Sequence, residues 1–173
     1  YAIVGFWIIP FLKRRSKTLL IWIGVLPLVP LVVMSPLDFI TRPMRWLQAI
    51  QRYGGTLSAA PNFGYELCLK RITDTQLAEL DLSSWRAAFN GAEPVSPLTL
   101  ERFTERFAVA GFSPEALMPV YGLAEAAVGL AFPPPGRWPL IDRIQRERFA
   151  AAGQAVASPR PSSCRPVRDR SGS

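Results

Sequence analysis

The chain has 173 residues, of which 49% are hydrophobic and 19% are charged, and its formal net charge is +7. This length and hydrophobic content are typical of a globular domain with a real core and exclude a wholly disordered chain. Residues 21–136 hold only 8 of the 20 basic residues but 10 of the 13 acidic ones, which argues against a nucleic-acid-binding face, and the absence of histidine excludes Ser-His and Cys-His nucleophilic catalysis.

An uninterrupted apolar run occupies residues 19–34, shortly after the basic cluster at residues 13–17. A positive flank before an apolar run is typical of a membrane anchor. The run is nevertheless shorter than the roughly 20 residues that a spanning helix needs, and it contains Pro27 and Pro30. We therefore favour a buried strand at residues 28–34 of a cytoplasmic protein, and keep membrane association through residues 19–34 as an alternative.

Predicted strands and helices alternate between residues 29 and 132. Further strands are predicted at residues 56–60, 85–89 and 117–120, where short apolar runs end in turns. Such alternation predicts an α/β fold whose parallel strands are joined by right-handed helical crossovers.

Three helices are predicted from apolar residues spaced three and four positions apart. The first begins at Pro43 and ends before Gly54, and the third begins at Pro97 with Ser96 as its N-cap. A short helix or turn is predicted at residues 74–81, between the second and third helices. The inward-facing residues are expected to be Trp46, Leu47, Ile50 and Tyr53 in the first helix, Tyr65, Cys68, Leu69 and Ile72 in the second, and Leu100, Phe103 and Phe107 in the third.

Residues suited to binding a nucleotide gather at residues 118–125, which read M-P-V-Y-G-L-A-E and follow a predicted strand. Tyr121 offers a flat face for a purine, and Gly122 lets the backbone approach a phosphate closely. Glu125 offers the hard oxygen that a phosphate-bound Mg²⁺ prefers. Taken alone, the segment is explained equally well by a strand-to-helix turn that binds nothing.

A second turn, at residues 90–94, reads N-G-A-E-P and follows the strand predicted at residues 85–89. In an open α/β sheet, ligands lie beyond the carboxyl ends of the strands. The turns that follow these two strands are therefore expected to lie side by side and to hold a purine between them.

Together with residues 58–68, which read S-A-A-P-N-F-G-Y-E-L-C, the two turns resemble the adenylate-forming (AMP-binding) superfamily and, within it, the fatty acyl-AMP ligases. The likeness covers roughly residues 31–155. It implies a partial AMP-binding domain: a partial parallel sheet with flanking helices from the large N-terminal domain of an adenylate-forming enzyme, with irregular ends. Residues 1–30 do not share the likeness, and residues 156–173 are predicted to be a disordered tail rich in proline, serine and arginine.

The resemblance also implies roles for individual residues. Gly91, Ala92, Glu93 and Pro94 would line the adenine pocket and Tyr121 would stack on the base, with Gly122, Leu123 and Ala124 completing the ATP/AMP-binding segment. Glu125 would bind Mg²⁺, and Asn62, Phe63 and Tyr65 would border the acyl channel. Because Ala124 stands where many superfamily members have a threonine, backbone N–H groups are expected to contact the α-phosphate.

The implied activity is ATP-dependent activation of a fatty acid to acyl-adenylate, with an acyl carrier protein domain as an acceptor. Residues 140–152 are expected to form an amphipathic helix in the place of the insertion that distinguishes acyl-AMP ligases from acyl-CoA ligases. The family's phosphate-binding loop and C-terminal domain are not recognised in the sequence, so we expect an internal fragment, without a complete set of catalytic residues, that is inactive as an isolated chain. An acyl-CoA ligase fragment and a non-enzymatic membrane-associated protein are the alternatives.

Overall fold

The computed structural model describes residues 2–4, 21–22, 31–123, 125 and 129–158. The chain divides into two compact units, Tyr1–Pro139 and Leu140–Ser173. Most of the apolar run at residues 19–34 and nearly all of the predicted tail lie outside the described residues. Within the described ranges, no helix combines the length and the apolar character that crossing a membrane requires.

The first unit is built around a sheet to which the described residues contribute six short strands. These are β1 (Ala2–Val4), β2 (Ile21–Trp22), β3 (Leu31–Val32), β4 (Leu57–Ala60), β5 (Ala87–Asn90) and β6 (Leu117–Pro119). Their order is β2-β3-β1-β4-β5-β6, and every neighbouring pair is parallel except β2 with β3. The predicted parallel sheet is confirmed, and β1 and β2 are strands that were not predicted from the sequence pattern.

Helices connect the strands much as the apolar spacing predicts. The described helices are α1 (Pro36–Thr41), α2 (Met44–Tyr53), α3 (Asn62–Arg71), α4 (Asp74–Ala78), α5 (Pro97–Phe107) and α6 (Arg146–Ala152). After α2, Gly54 takes the left-handed conformation with φ of 57°, as expected of a terminating glycine. At the start of α5, the Ser96 hydroxyl oxygen accepts a hydrogen bond from the Thr99 N–H, which confirms the predicted N-cap.

The start of the strand predicted at residues 85–89 is wrong by two residues. β5 begins at Ala87, because the Trp85 N–H donates to the Leu82 carbonyl oxygen in a turn at 3.0 Å. The Trp85 indole is fully buried and donates to the Ala87 carbonyl oxygen. Trp85 therefore belongs to the core, as its apolar side chain suggested, but it does not pair within the sheet.

The helix predicted at residues 140–152 is also too long. Only α6 is helical, because the backbone just before it is used for pairing with the segment that follows it. Ile144 forms an antiparallel bridge with Ala157, and the Gln145 N–H donates to the Val156 carbonyl oxygen at 2.8 Å. This pairing is a non-local interaction that helical spacing of apolar residues does not report.

The core of the first unit is a cluster of aromatic side chains from α2, α3, α5 and the turn before β5. Ring centroids of Trp46 and Trp85 lie 5.2 Å apart, and those of Tyr65 and Phe103 lie 5.0 Å apart, both in edge-to-face geometry. The Tyr65 hydroxyl also donates to the Phe89 carbonyl oxygen at 2.9 Å. The core thereby holds α3 against β5, close to the carboxyl end of that strand.

Candidate functional site

Three loops leave the same edge of the sheet, because β4, β5 and β6 are parallel neighbours. Asn62 and Phe63 follow β4, the Gly91–Pro94 turn follows β5, and Tyr121 follows β6. The carboxyl edge of a parallel sheet is the usual place for a ligand in such folds. The residues predicted for the adenine side and for the acyl side are therefore brought to one edge.

The turns after β5 and β6 lie directly against each other, as the sequence predicts. The Val120 N–H donates to the Asn90 carbonyl oxygen at 2.8 Å, which extends the β5–β6 pairing into the turns. A Cβ atom at Gly91 would lie 2.7 Å from the Val120 carbonyl oxygen and 2.8 Å from its Cγ2 atom. Only a residue without a side chain leaves room for this approach, so Gly91 sets the spacing of the two turns.

Tyr121 presents its ring to solvent while its backbone is held. Its side chain is 62% exposed. Its N–H donates to the Ala131 carbonyl oxygen at 3.1 Å, and its carbonyl oxygen accepts from Leu130 and Ala131. Gly122 is half-buried, Leu123 and Glu125 are exposed, and Ala124 lies outside the described residues. A fixed backbone with an exposed ring is an arrangement suited to stacking on a base.

The turn after β5 is held to the first turn of α3. Ala92 has a positive φ of 65°, which is uncommon for a residue with a side chain. Next to it, the Glu93 Oε1 atom accepts a hydrogen bond from the Phe63 N–H at 2.6 Å. Pro94 is exposed. Glu93 therefore contacts α3 with its side chain, while its backbone belongs to the turn that is predicted to line the adenine pocket.

A polar network beneath this turn was not predicted from the sequence. The Asn62 Oδ1 atom accepts from the Asn90 side-chain amide at 3.2 Å and from the Ser96 N–H at 3.1 Å. The Asn62 amide donates to the Thr99 hydroxyl, which donates to the Glu66 carboxylate at 2.7 Å. Asn90 is fully buried at the last position of β5 and therefore needs hydrogen-bond partners, but the sequence placed it in the turn after the strand and gave no signal for this network.

The residues predicted for the acyl channel differ in their environments. Asn62 is half-buried in the network, and Phe63 is 42% exposed. Tyr65 has no exposed surface; burial and, to a smaller extent, the neighbouring Cys68 raise the pKa of its hydroxyl, which stays protonated and donates to Phe89. In this structure Tyr65 is a core residue, so of these three side chains Phe63 offers the largest apolar surface to a ligand.

A metal ion would find a single protein carboxylate in the segment after β6. Glu125 is exposed, and no group of three or more Asp, Glu, Cys or His side chains suited to a metal occurs in the part of the chain that is described. Mg²⁺ commonly takes one or two carboxylates and completes its shell with substrate phosphate oxygens and water. A lone exposed glutamate therefore suits a Mg²⁺ ion that arrives with a nucleotide, rather than one that is held by the protein alone.

Comparison with known proteins finds similarity to AMP-binding enzymes and to fatty acid ligases. The profile of the AMP-binding enzyme family matches residues 10–157, a longer span than the resemblance over residues 31–155. The medium-chain fatty acid acyl-carrier-protein ligase TtuA of Teredinibacter turnerae is 50% identical over 100 residues, which are 58% of this chain and 16% of that protein. The long-chain fatty acid AMP ligase FadD26 of Mycobacterium marinum is 44% identical over 120 residues, which are 69% of this chain and 20% of that protein.

Solved structures agree with the sequence relatives. A structure from a study of fatty acyl-adenylate ligases of E. coli and L. pneumophila superposes with a TM-score of 0.72 at 40% identity, covering 78% of this chain and 24% of that one. A fatty acyl-adenylate ligase of L. pneumophila in complex with acyl adenylate and pyrophosphate gives a TM-score of 0.63 at 37% identity, covering 79% of this chain and 24% of that one. The chain spans about a quarter or less of the length of these proteins.

Proposed function

Because the chain belongs to the AMP-binding enzyme family, we propose that it provides the adenylate-binding part of a fatty acyl-AMP ligase, which uses ATP to activate a fatty acid as acyl-adenylate. The observation that carries the proposal is the contact between the turns at Gly91 and Val120, beside the exposed ring of Tyr121. The relatives named as fatty acid AMP ligases and acyl-carrier-protein ligases support the same substrate class.

In the proposed site the adenine base stacks on Tyr121 and lies along the backbone of Gly91, Ala92, Glu93 and Pro94. An aromatic ring binds any base through its π face, and the turn supplies backbone donors and acceptors. Gly122 gives the phosphate close access to the backbone, and Leu123 and Ala124 continue this contact.

The fatty acid and the metal are proposed to lie on either side of the α-phosphate. Phe63 and Asn62 border the acyl chain at the start of α3, and Tyr65 supports them from the core through its hydrogen bond to β5. Mg²⁺ bound with ATP would offset the negative charge of the phosphate oxygens, with Glu125 as its protein ligand. An acyl carrier protein domain is the proposed acceptor, because two similar proteins are named as ligases of that partner.

Binding of a stable acyl-adenylate analogue tests the proposal. We expect dodecanoyl-sulfamoyl adenosine to bind the chain in isothermal titration calorimetry, and Tyr121→Ala to weaken binding about tenfold, because stacking on an aromatic ring is worth roughly 1–3 kcal/mol per base. Phe149→Ala is the matched control, since Phe149 is a similarly exposed aromatic residue of the second unit. Equal affinities of the wild type and Tyr121→Ala, or no binding by the wild type, would contradict the proposal.

A further inference from the structure

The start of α3 receives its cap from a residue 30 positions away. Pro61 occupies the N-cap position of α3 and makes no side-chain capping hydrogen bond. The Glu93 carboxylate accepts from the Phe63 N–H at 2.6 Å instead. The first N–H groups of a helix lack partners within the helix, and the helix dipole favours a negative charge there. Glu93 therefore does for α3 what a local N-cap side chain does for most helices.

Two further contacts join the same two segments. The Asn62 Oδ1 atom, in the first turn of α3, accepts from the Ser96 N–H and from the Asn90 side chain. Asn90 and Ser96 flank the turn that contains Glu93. Residues 90–96 are thus attached to the first turn of α3 at three points, of which the Glu93 carboxylate is the one nearest to Ala92 and its positive φ.

The attachment connects the two halves of the proposed site. The Gly91–Pro94 turn lies on the adenine side, and Phe63 lies on the acyl side. We propose that Glu93 is a positioning residue that couples adenine binding to acyl binding by holding the start of α3 to the turn after β5. This inference rests on the proposed function, and it gives the Glu93 side chain a role that requires no contact with the ligand.

Comparison of two analogues that share the adenosine part measures this coupling. The probes are acetyl-sulfamoyl adenosine and dodecanoyl-sulfamoyl adenosine. The dissociation constant of the acetyl probe divided by that of the dodecanoyl probe reports how much affinity the long acyl chain adds. We expect Glu93→Ala to lower this ratio roughly fivefold, since coupling between two sites is commonly of this size or larger. Glu93→Gln keeps an oxygen that accepts from the Phe63 N–H, so it is expected to keep the ratio near that of the wild type.

Hydrogen exchange at the Phe63 amide supplies a readout of the bond itself. We expect Glu93→Ala to speed this exchange several-fold relative to the wild type. In Glu93→Gln we expect an exchange rate close to that of the wild type. Glu101→Ala is the matched control, because Glu101 is an exposed glutamate of α5 outside the site. It is expected to change neither the exchange rate nor the ratio.

The outcomes separate the inference from the proposed function. Faster exchange in Glu93→Ala with an unchanged ratio would overturn the coupling and leave Glu93 as a helix cap only. A lowered ratio in both Glu93→Ala and Glu101→Ala would also overturn it, because the effect would then be a general loss of stability. If the wild type binds neither analogue, the proposed function fails and the coupling fails with it, whatever the exchange at Phe63 shows.

Discussion

Gly91 is needed for the space that it leaves rather than for an unusual backbone conformation. The Val120 carbonyl oxygen and side chain occupy the position where a Cβ atom would lie, at 2.7 and 2.8 Å. Contacts this short force the backbone to move, because the interior of a protein has no spare volume to absorb an added methyl group. A single hydrogen atom at this position therefore decides how closely the two turns approach.

Replacing Gly91 with alanine is expected to lower the free energy of unfolding by about 1–3 kcal/mol, as overpacking of a tight site commonly does. Urea denaturation measures the change. Val120→Ala in the same chain removes one of the two clashing atoms but leaves the carbonyl oxygen, so the double variant should recover only part of the loss. Full recovery would show that the backbone approach is not the constraint.

Helix α3 is the element on which the site depends most. Its first turn contacts the turn after β5 through Asn62 and Phe63, and its buried face reaches β5 through the Tyr65 hydroxyl. The Tyr65 ring is also stacked with Trp85 and makes edge-to-face contacts with Trp46 and Phe103. The same helix therefore belongs to the core on one side and to the candidate site at its first turn.

Tyr65→Phe is expected to lower the free energy of unfolding by about 1 kcal/mol, because it removes one hydrogen bond while keeping the ring. Tyr53→Phe is the control; Tyr53 is only half-buried at the end of α2, and we expect a smaller change there.

Burial raises the pKa of the Tyr65 hydroxyl above its usual value near 10. The contribution of Tyr65 to stability is therefore present below a pH of about 10 and is lost as the pH rises further. The free energy of unfolding, measured by denaturation, should therefore differ less between pH 7 and pH 11 in Tyr65→Phe than in the wild type. An equal pH dependence of the two proteins would contradict this expectation.

The elements that the sequence predicted correctly are those whose signal is local. α2, α3 and α5 all carry apolar residues at helical spacing, and the backbone follows that spacing closely; α2 and α5 also have a glycine or a serine at one end. β1 and β2 carry no such signal, because strands of two or three residues are set by the partners they pair with. The span of residues 140–145 was misread for the same reason.

The site divides in the same way. Because successive parallel strands were predicted, the turns at Gly91 and Tyr121 were expected to be neighbours. The structure confirms this expectation. The hydrogen bond from Phe63 to Glu93 depends on where α3 packs relative to the turn after β5, which no spacing in the sequence reports. The roles of these residues towards a ligand stay predictions until binding is measured.

At the scale of the whole molecule, the first unit has one continuous core, and Cys68 lies inside it. Its thiol is fully buried, and burial raises its pKa far above the usual value, so almost none of it is the reactive thiolate at neutral pH. We expect N-ethylmaleimide to label Cys68 only when α3 opens from the core. Mass spectrometry of the peptide that contains Cys68 should show slow labelling in buffer and rapid labelling in urea; rapid labelling in buffer would contradict the packing of α3.

The fold as a whole matters because it brings loops from three parallel strands to one edge, where we propose that an adenine base lies between two of them. Nuclear Overhauser contacts from an acyl-sulfamoyl adenosine labelled in its base test this most directly. We predict contacts from the adenine protons H2 and H8 to the Tyr121 ring and to the Gly91 α-protons. Contacts confined to other residues, or a bound ligand whose base shows none to Tyr121, would contradict the account.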